Sequence, residues 1–264
     1  MMPAQTNSPT APEVGTATLS VRGLTKRYGD RTVLDGLDFD VGAGEVVSVL
    51  GANGSGKSTA LRCVVGLVRP EGGSITVAGR TVTPGVPLSE VAMVFQRIHL
   101  VPRRSVLDNV CAGALGRLPL AQSWATWAFP QDLREEAMAC LDRVGLADRA
   151  HDRAGRLSGG QQQRVAIARA LCQRARVLLA DEPVSALDPA AAESVMRLLH
   201  SLATEDRIAV AAVLHQPDLA RRYSDRVVGL AEGRLEFALP AEELGDHRID
   251  ELYAADYRAE GAAL

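Results

Sequence analysis

Long apolar runs are missing from this sequence. Its longest uninterrupted apolar stretch, residues 208–214, is only as long as a buried strand, whereas a membrane-spanning helix needs about 20 apolar residues. The sequence therefore predicts that any membrane role is peripheral and depends on a partner. Residues 1–16 are rich in Pro, Thr, Ala and Ser and have no apolar core, so they predict a flexible tail rather than a secretory signal.

An excess of charge of one sign and closely spaced cysteines are missing as well. The chain has 264 residues with 29 Lys and Arg against 32 Asp and Glu. That balance argues against a protein built mainly to hold nucleic acid or an acidic bilayer, and we expect no nucleic-acid partner. The four cysteines are far apart in the sequence and have no Cys-x-x-Cys spacing or companion histidine. They predict reduced, mostly buried thiols rather than disulfides or a zinc site.

The most informative stretch that is present is glycine-rich. It reads Gly51-Ala52-Asn53-Gly54-Ser55-Gly56-Lys57-Ser58-Thr59. The apolar run before it predicts a buried parallel strand over 46–50, and the residues after it predict a helix over 58–65. Glycines let backbone N–H groups converge on an anion at a helix N-terminus. Lys57 is placed for the β- and γ-phosphates and Ser58 for Mg²⁺. The pattern predicts a nucleotide site, and a glycine-rich turn that matches by chance is the alternative.

Four polar residues follow predicted buried strands: Gln96, Asp181, Glu182 and His215. The carboxyl ends of parallel strands meet at one edge of a sheet, where ligands bind. There, Asp181 can hold Mg²⁺ through water, Glu182 can orient and deprotonate the attacking water, and Gln96 can reach Mg²⁺ or water. In isolation, Gln96 is more often a polar loop residue, and without the phosphate loop a solvated loop would be the favoured interpretation of Asp181 and Glu182.

Two further regions flank this predicted core. Alternating patterns at 18–21 and 37–41 predict half-buried antiparallel strands, and Tyr28 between them either stacks on a base or covers the sheet edge. Residues 97–156 have few strand signals and one clear helix, which Gly145 ends. They predict a helical subdomain inserted in an α/β core, in which Trp124 and Trp127 serve as packing residues or partner contacts.

A second glycine-containing helix start lies at residues 157–161. Ser158 is a good N-cap, and Gly159 and Gly160 leave backbone N–H groups bare, so this start is receptive to anions. Further on, Asp188 predicts another N-cap with Pro189 at the first helical position, for a helix reaching about Ala203. The charged residues 240–264 predict a partly helical tail.

Together, these residues resemble the ATP-binding subunit of an ABC transporter. The matching segments are Tyr28 (adenine-stacking aromatic), 51–59 (Walker A), Gln96 (Q-loop), 157–161 (LSGGQ signature), 177–182 (Walker B with its glutamate), 185–188 (D-loop) and His215 (switch histidine). The resemblance covers residues 17–240 and leaves a tail at 241–264. It implies an α/β fold: a P-loop NTPase (RecA-like) core with an antiparallel β subdomain and an inserted α-helical subdomain.

The resemblance also implies roles for these residues, with ATP and Mg²⁺ as cofactors. Glu182, His215 and Gln96 would be catalytic, and Ser58, Gln96 and Asp181 would hold the metal. Two copies would face head to tail, so that Ser158, Gly159, Gly160 and Gln161 of one copy, with Asp188, close on nucleotide held by residues 51–59 and Tyr28 of the other. The implied partners are a membrane permease docked around 97–130 and, indirectly, a solute-binding protein, at the cytoplasmic face of the membrane.

A narrower resemblance, to phosphonate-import ATPases, lies outside these motifs. The matching segments are 95–97, 101–110, 115–117, 134–137, 144–148, 214–216 and 223–230. It implies phosphonate as the transported solute, with phosphate, phosphite or an amino acid as alternatives. Arg97-Ile98-His99 and the long N-terminal tail depart from the pattern. A soluble ABC ATPase of translation or DNA repair is a further alternative, disfavoured because tandem ATPase halves and a long coiled-coil insertion are missing from the sequence.

Overall fold

The computed structural model describes residues 17–119 and 129–261. The predicted tail at 1–16 and both tryptophans, Trp124 and Trp127, lie outside these ranges. The strands are Leu19–Tyr28 (β1), Arg31–Val41 (β2), Val46–Leu50 (β3), Gly72–Val77 (β4), Arg80–Thr81 (β5), Val91–Val94 (β6), Val177–Asp181 (β7), Ala209–Val213 (β8), Arg226–Ala231 (β9) and Arg234–Pro240 (β10). The α-helices are Lys57–Val64 (α1), Val106–Cys111 (α2), Gln131–Arg143 (α3), Gly159–Cys172 (α4), Pro189–Asp206 (α5), Pro217–Tyr223 (α6) and Asp246–Gly261 (α7).

The larger sheet has the order β10-β9-β3-β8-β7-β6 and is parallel except for β10 at its edge. Every residue of β3, β7 and β8 is buried, because parallel strands are covered on both faces. In β3, Val46 and Leu50 join one hydrophobic cluster while Val47 and Val49 join another. The predictions of buried parallel strands before residue 51 and before Asp181 are confirmed.

The smaller sheet has the order β2-β1-β4-β5 and is antiparallel throughout. Its β1 and β2 pair with Leu19 opposite Val41, as the alternating patterns predict. The apolar face of this sheet shares a cluster with α1 and with Val47 and Val49 of the larger sheet. This packing places the end of β1 beside the segment that joins β3 to α1.

Helices α2, α3 and α4 pack together beyond the edge strand β6. Leu133, Ala137 and Leu141 form the buried face of α3, and Gly145 follows with a left-handed φ of 69°, as predicted. A Cβ on Gly113 would lie 2.0 Å from the carbonyl oxygen of Arg169. The backbone at Gly113 therefore rests directly on α4, so α4 is held firmly on that side.

Helix ends follow their capping residues. Asp188 accepts a hydrogen bond from the Ala191 N–H at 3.0 Å, with Pro189 at the first helical position. Helix α5 runs three residues beyond the predicted Ala203 and ends where Arg207 takes a left-handed φ of 58°. On α4, Ala166 and Ile167 are buried and Leu171 is half-buried.

The helices and the cysteines bear on membrane insertion and on redox state. Within residues 17–119 and 129–261, we find no helix with both the length and the apolar character needed to cross a bilayer. The four cysteines are free thiols: Cys63, Cys111 and Cys172 are buried and Cys140 is half-buried. Burial raises the pKa of the Cys63 thiol to about 11, so this sulfur stays protonated and unreactive.

Candidate nucleotide site

Residues 51–56 join β3 to α1 in a loop that glycine makes possible. Gly51, Gly54 and Gly56 have φ values of 150°, 79° and 104°, which side-chain-bearing residues rarely adopt. Space forbids a side chain too: a Cβ would lie 2.1 Å from the Leu230 carbonyl oxygen at Gly51, and 2.7 Å from Leu34 Cδ2 at Gly56. The loop is therefore fixed by both conformation and close contact.

Lys57, the first residue of α1, lies across this loop and is only 6% exposed. Its Nζ donates hydrogen bonds to the carbonyl oxygens of Gly51 at 2.6 Å and Ala52 at 2.7 Å. Ser55 is 4% exposed, and its Oγ has no hydrogen-bond partner among the described residues. A buried ammonium and a buried hydroxyl beside a helix N-terminus form a polar, positively charged cradle that suits an anion.

The loop opens into a cleft of about 240 Å³. It is lined by Tyr28, Arg31, Val33, Asn53, Gly54, Gly56, Lys57, Ser58, Thr59 and Glu182. Tyr28, at the end of β1, is 51% exposed, and Lys26 Nζ lies 5.0 Å from its ring centroid. An aromatic ring exposed at the mouth of a phosphate cradle can stack on a base. The exposed position of Tyr28 at this cleft is compatible with base stacking.

Arg31 lines this cleft and was not singled out by the sequence. It begins β2 directly after the turn at Gly29-Asp30, which returns the chain towards the loop. A Cβ on Gly54 would lie 3.5 Å from Arg31 Nη2, so the guanidinium reaches the tip of the loop. The signal that could have indicated Arg31 is that it follows the turn directly after Tyr28.

Ser58 and Asp181 meet at the start of α1 and the end of β7. Ser58 Oγ donates to Asp181 Oδ1 at 2.8 Å, and Asp181 is 4% exposed. Burial raises the pKa of the Asp181 carboxyl, and the hydrogen bond from Ser58 partly opposes that shift. A hydroxyl and a carboxylate at this spacing are hard oxygen ligands of the kind Mg²⁺ prefers. The donor set therefore fits that cation.

Glu182, the next residue, lies where three strands end. Its Oε2 accepts a hydrogen bond from Gln96 Nε2 at 2.7 Å, and its Oε1 lies 2.8 Å from His215 Nε2. Its φ of 51° is left-handed, an uncommon conformation that turns the chain sharply after β7. Gln96, Glu182 and His215 follow β6, β7 and β8, which are neighbours in the sheet. The structure brings these three together at the edge where the sequence places them.

The segment 157–161 lies elsewhere. The Ser158 hydroxyl accepts from the Gln161 N–H at 3.4 Å, while Gln161 Oε1 accepts from the Ser158 N–H at 3.0 Å, which is a capping box at the start of α4. This segment opens into a cleft of about 320 Å³, lined by Gly145, Leu146, Asp148, Arg149, Ser158, Gly160, Gln161, Arg164 and Ala191. Within the described part of the chain, that cleft shares no lining residue with the phosphate-loop cleft.

Asp188 belongs to the same side of the molecule as this second cleft. It is exposed and caps α5 at Ala191, which itself lines the cleft. A Cβ on Gly160 would lie 3.2 Å from the Ala191 Cβ. The structure therefore places Asp188 beside residues 158–161 and brings neither group to the phosphate loop of its own chain.

Comparisons with known proteins agree with this geometry. A family model described as "ABC transporter" matches residues 34–185. The phosphonates import ATP-binding protein PhnC of Nocardia farcinica is 47% identical over 248 residues, which cover 92% of this chain and 91% of that protein. The hypophosphite import ATP-binding protein HtxD of Stutzerimonas stutzeri is 42% identical and covers 89% of this chain and 70% of its own.

Solved structures show the same fold. The ADP conformation of MJ1267, an ATP-binding cassette, superposes with a TM-score of 0.81 at 24% identity, over 90% of this chain and 99% of that one. The dimeric post-hydrolysis cassette MJ0796, bound to ADP and Pi, has a TM-score of 0.71 at 30% identity, over 86% and 100% of the two chains. With its P-loop α/β core and its family match, this chain belongs to the ABC transporter family, as one of its ATP-binding cassettes.

Proposed function

We propose that this chain is the ATP-hydrolysing subunit of an ABC importer for phosphonates, bound to the cytoplasmic face of the membrane through permease subunits. The observation that carries the ATPase assignment is the Glu182 carboxylate held between Gln96 and His215, beside the Ser58–Asp181 pair. The cargo assignment is supported by relatives named as phosphonate importers at 43–48% identity.

The triphosphate of ATP would lie in the loop 51–59, with Lys57 exchanging its loop carbonyl contacts for phosphate oxygens and Tyr28 stacking on the base. Mg²⁺, when bound, neutralises charge on the phosphate oxygens. Ser58 and Asp181 would hold it. Gln96 donates to Glu182 through Nε2, which leaves its carbonyl oxygen Oε1 as the atom that can ligate the cation or accept from water.

The hydrolytic step requires a carboxylate oxygen that faces water. In the proposed step, Glu182 takes a proton from the attacking water, whose oxygen bonds to the γ-phosphorus as the β–γ bridge breaks and ADP leaves with the bridging oxygen. In this structure both Glu182 oxygens are engaged, one by Gln96 and one by His215. Each carboxylate oxygen has a second lone pair that can accept from the attacking water while these contacts persist. We assign His215 to orient the carboxylate towards that water.

A second copy would complete the site. Ser158, Gly160 and Gln161 line a different cleft and Asp188 is exposed, so another protomer, facing head to tail, would bring them to the triphosphate. The dimeric arrangement of the MJ0796 relative supports this assembly.

The permease would dock in an apolar groove between the sheet core, the residues that directly follow α2, and helix α4. This groove has a volume of about 590 Å³ and is lined in part by Leu67, Val86 and Leu115, which are 63%, 57% and 39% exposed. Exposed apolar side chains gathered in one groove mark a protein contact. A helix from the cytoplasmic side of the permease is the occupant we propose, and the groove includes residues 112–115 of the predicted docking range.

The ATPase assignment is tested on the purified chain by phosphate release and by ATP binding. Lys57→Ala removes the buried ammonium and should weaken ATP binding by about 10- to 100-fold, while Arg80→Ala, which removes an exposed cation on β5, should leave binding unchanged. ATP affinity that survives Lys57→Ala intact would refute the phosphate-loop assignment.

The cargo is tested in cells that lack this gene, grown with methylphosphonate, hypophosphite or phosphate as the sole phosphorus source. Loss of growth on methylphosphonate alone, restored by the wild-type chain and not by Lys57→Ala, is the expected result. Loss on hypophosphite alone would favour the cargo of the HtxD relative and overturn the phosphonate assignment.

A further inference from the structure

Helix α7 lies against the outer side of the phosphate loop. Leu252 of this helix is 3% exposed. It lines a cleft of about 280 Å³ together with Ala52, Asn53, Gly54 and Ser55. Ile249 and Tyr253 pack on the main hydrophobic cluster. The charged C-terminal segment is therefore a packed part of the nucleotide-binding core.

Tyr253 makes a polar contact with the loop itself. Its phenol oxygen lies 3.4 Å from the backbone nitrogen of Gly51, which donates to it. The carbonyl oxygen of the same Gly51 accepts from Lys57 Nζ at 2.6 Å. Both peptide groups that flank Gly51 are thus anchored, one by the C-terminal helix and one by the lysine.

The other side of the loop has no room to shift. Gly51 lies so close to β9 that a Cβ would come within 2.1 Å of the Leu230 carbonyl oxygen. Four residues on, the Ser55 carbonyl oxygen accepts from the Gly233 N–H at 3.1 Å, in the turn between β9 and β10. The β9–β10 hairpin therefore supports the loop on one side, and Tyr253 supports its first residue on the other.

The start of α7 is tied to a second functional segment. Arg221 donates through Nε to the Leu244 carbonyl oxygen at 2.8 Å and forms an ion pair with Asp246 at the first position of α7. Arg221 lies on α6, which begins two residues after His215. Tyr253 follows Asp246 by about two helical turns. Helix α7 thus spans from the segment after His215 to the entrance of the phosphate loop.

We propose that Tyr253 is a positioning residue for nucleotide binding. Its hydroxyl holds the Gly51 peptide, and this preorganises the loop N–H groups and Lys57 for the triphosphate. This inference rests on the proposed function, because it takes ATP as the ligand of the loop. Glu182 is held by Gln96 and His215, whereas the Tyr253 hydroxyl contacts the Gly51 peptide. Loss of the hydroxyl should therefore weaken binding and spare the chemical step.

The test compares Tyr253→Phe with Tyr223→Phe, which makes the same chemical change on α6, where the hydroxyl interacts with Arg222. Tyr253→Phe should raise the Kd and the KM for ATP by about 3- to 10-fold, the expected effect of one lost neutral hydrogen bond, with kcat changed less than about 2-fold. Tyr223→Phe should leave both constants unchanged. Hydrogen exchange of the Gly51 amide in the nucleotide-free protein should be faster in Tyr253→Phe alone.

Each other outcome has one meaning. If Tyr253→Phe binds ATP as the wild type does, with unchanged hydrogen exchange at Gly51, the positioning role is overturned. The nucleotide site is then still supported by the loss of ATP binding in Lys57→Ala. Equal losses in both phenylalanine variants would show a general loosening of the C-terminal region and would also overturn it. If the wild-type chain itself binds no ATP, the proposed function fails.

Discussion

The phosphate loop and the segment 157–161 both lead into a helix, yet they differ in burial. Lys57 and Ser55 are buried at 6% and 4% exposure, and the loop is enclosed by β2, β9 and α7. Ser158 and Gly159 are exposed, and a capping box satisfies part of that helix start. A site that one chain completes can be buried by that chain, whereas a surface reserved for a partner must stay open. In the proposed dimer, the chain therefore contributes two different halves of a nucleotide site.

Replacing Glu182 should produce the largest effect on ATP hydrolysis, because the proposed base lines the phosphate-loop cleft. Glu182→Gln removes the proposed base and should lower phosphate release by about 10²- to 10⁴-fold while ATP binding persists. Gel filtration with ATP should then show a stable dimer. The matched control is Glu193→Gln, a carboxylate on α5 that pairs with arginines on the surface. Phosphate release at the parental rate in Glu182→Gln would show that the base lies elsewhere.

Mixing two defective chains should reveal that the halves belong to different protomers. Lys57→Ala disables the loop. Gly159→Asp places a negative charge where it repels phosphate, although an acidic residue in a first helical turn favours the helix itself. Each variant alone should be inactive. Random pairing of the two leaves about a quarter of all sites with both halves intact, and phosphate release should return in proportion.

Failure of the mixture to recover any phosphate release, with mixed dimers shown by affinity tags, would mean that one chain completes its own site.

Replacing Gly56 of the phosphate loop or Gly159 of the segment 157–161 by alanine should change the free energy of unfolding by different amounts. Gly56→Ala meets Leu34 and the Val33 carbonyl at 2.7 Å with a φ of 104°, and we expect a loss of about 2–5 kcal/mol in the free energy of unfolding. Gly159→Ala meets only the end of the Leu187 side chain at 3.3 Å and should change stability by less than about 1 kcal/mol. Urea unfolding without nucleotide measures both, and equal losses would contradict the contrast.

The smallest effect is expected from the loss of the ion pairs that join α3 to the end of α4, the helix that begins at residues 158–161. Glu136 on α3 pairs with Arg174, just beyond the end of α4, and with Arg117; the Arg174 hydrogen bond, above all, lowers the pKa of Glu136. Glu136→Gln should cost about 1 kcal/mol at neutral pH. Because the folded pKa is depressed, this stabilisation is present above the ordinary glutamate pKa of about 4.3 and is lost as the pH falls through the folded value.

Urea midpoints of the wild type and Glu136→Gln should therefore converge in acid, and a difference that grows as the pH falls would contradict the assignment.

The sequence predicts well wherever local chemistry decides the structure. Buried parallel strands are continuous apolar runs, and Ser158 and Asp188 cap their helices. Gln96, Glu182 and His215 were predictable as neighbours because each follows a strand of one sheet. Their mutual hydrogen bonds were not, because the order of strands in the sheet depends on tertiary pairing.

Residues that reach the site from distant parts of the chain escaped prediction. Tyr253 lies 202 positions from Gly51, in a charged segment whose periodicity indicates a helix but not the surface on which it packs. Arg31 is one cation among 29 and is distinguished only by a turn that returns it to the loop. Such contacts are fixed by packing over long sequence separations, and no spacing rule in the sequence encodes them.

The double engagement of the Glu182 carboxylate bears on the life of the subunit before assembly. In the single protomer, the Glu182 carboxylate is held by Gln96 and His215, and Ser158, Gly160 and Gln161 line a cleft that shares no described residue with the phosphate-loop cleft. If the head-to-tail dimer proposed above is the hydrolytic form, we expect a copy that is made ahead of its partners to hydrolyse ATP slowly.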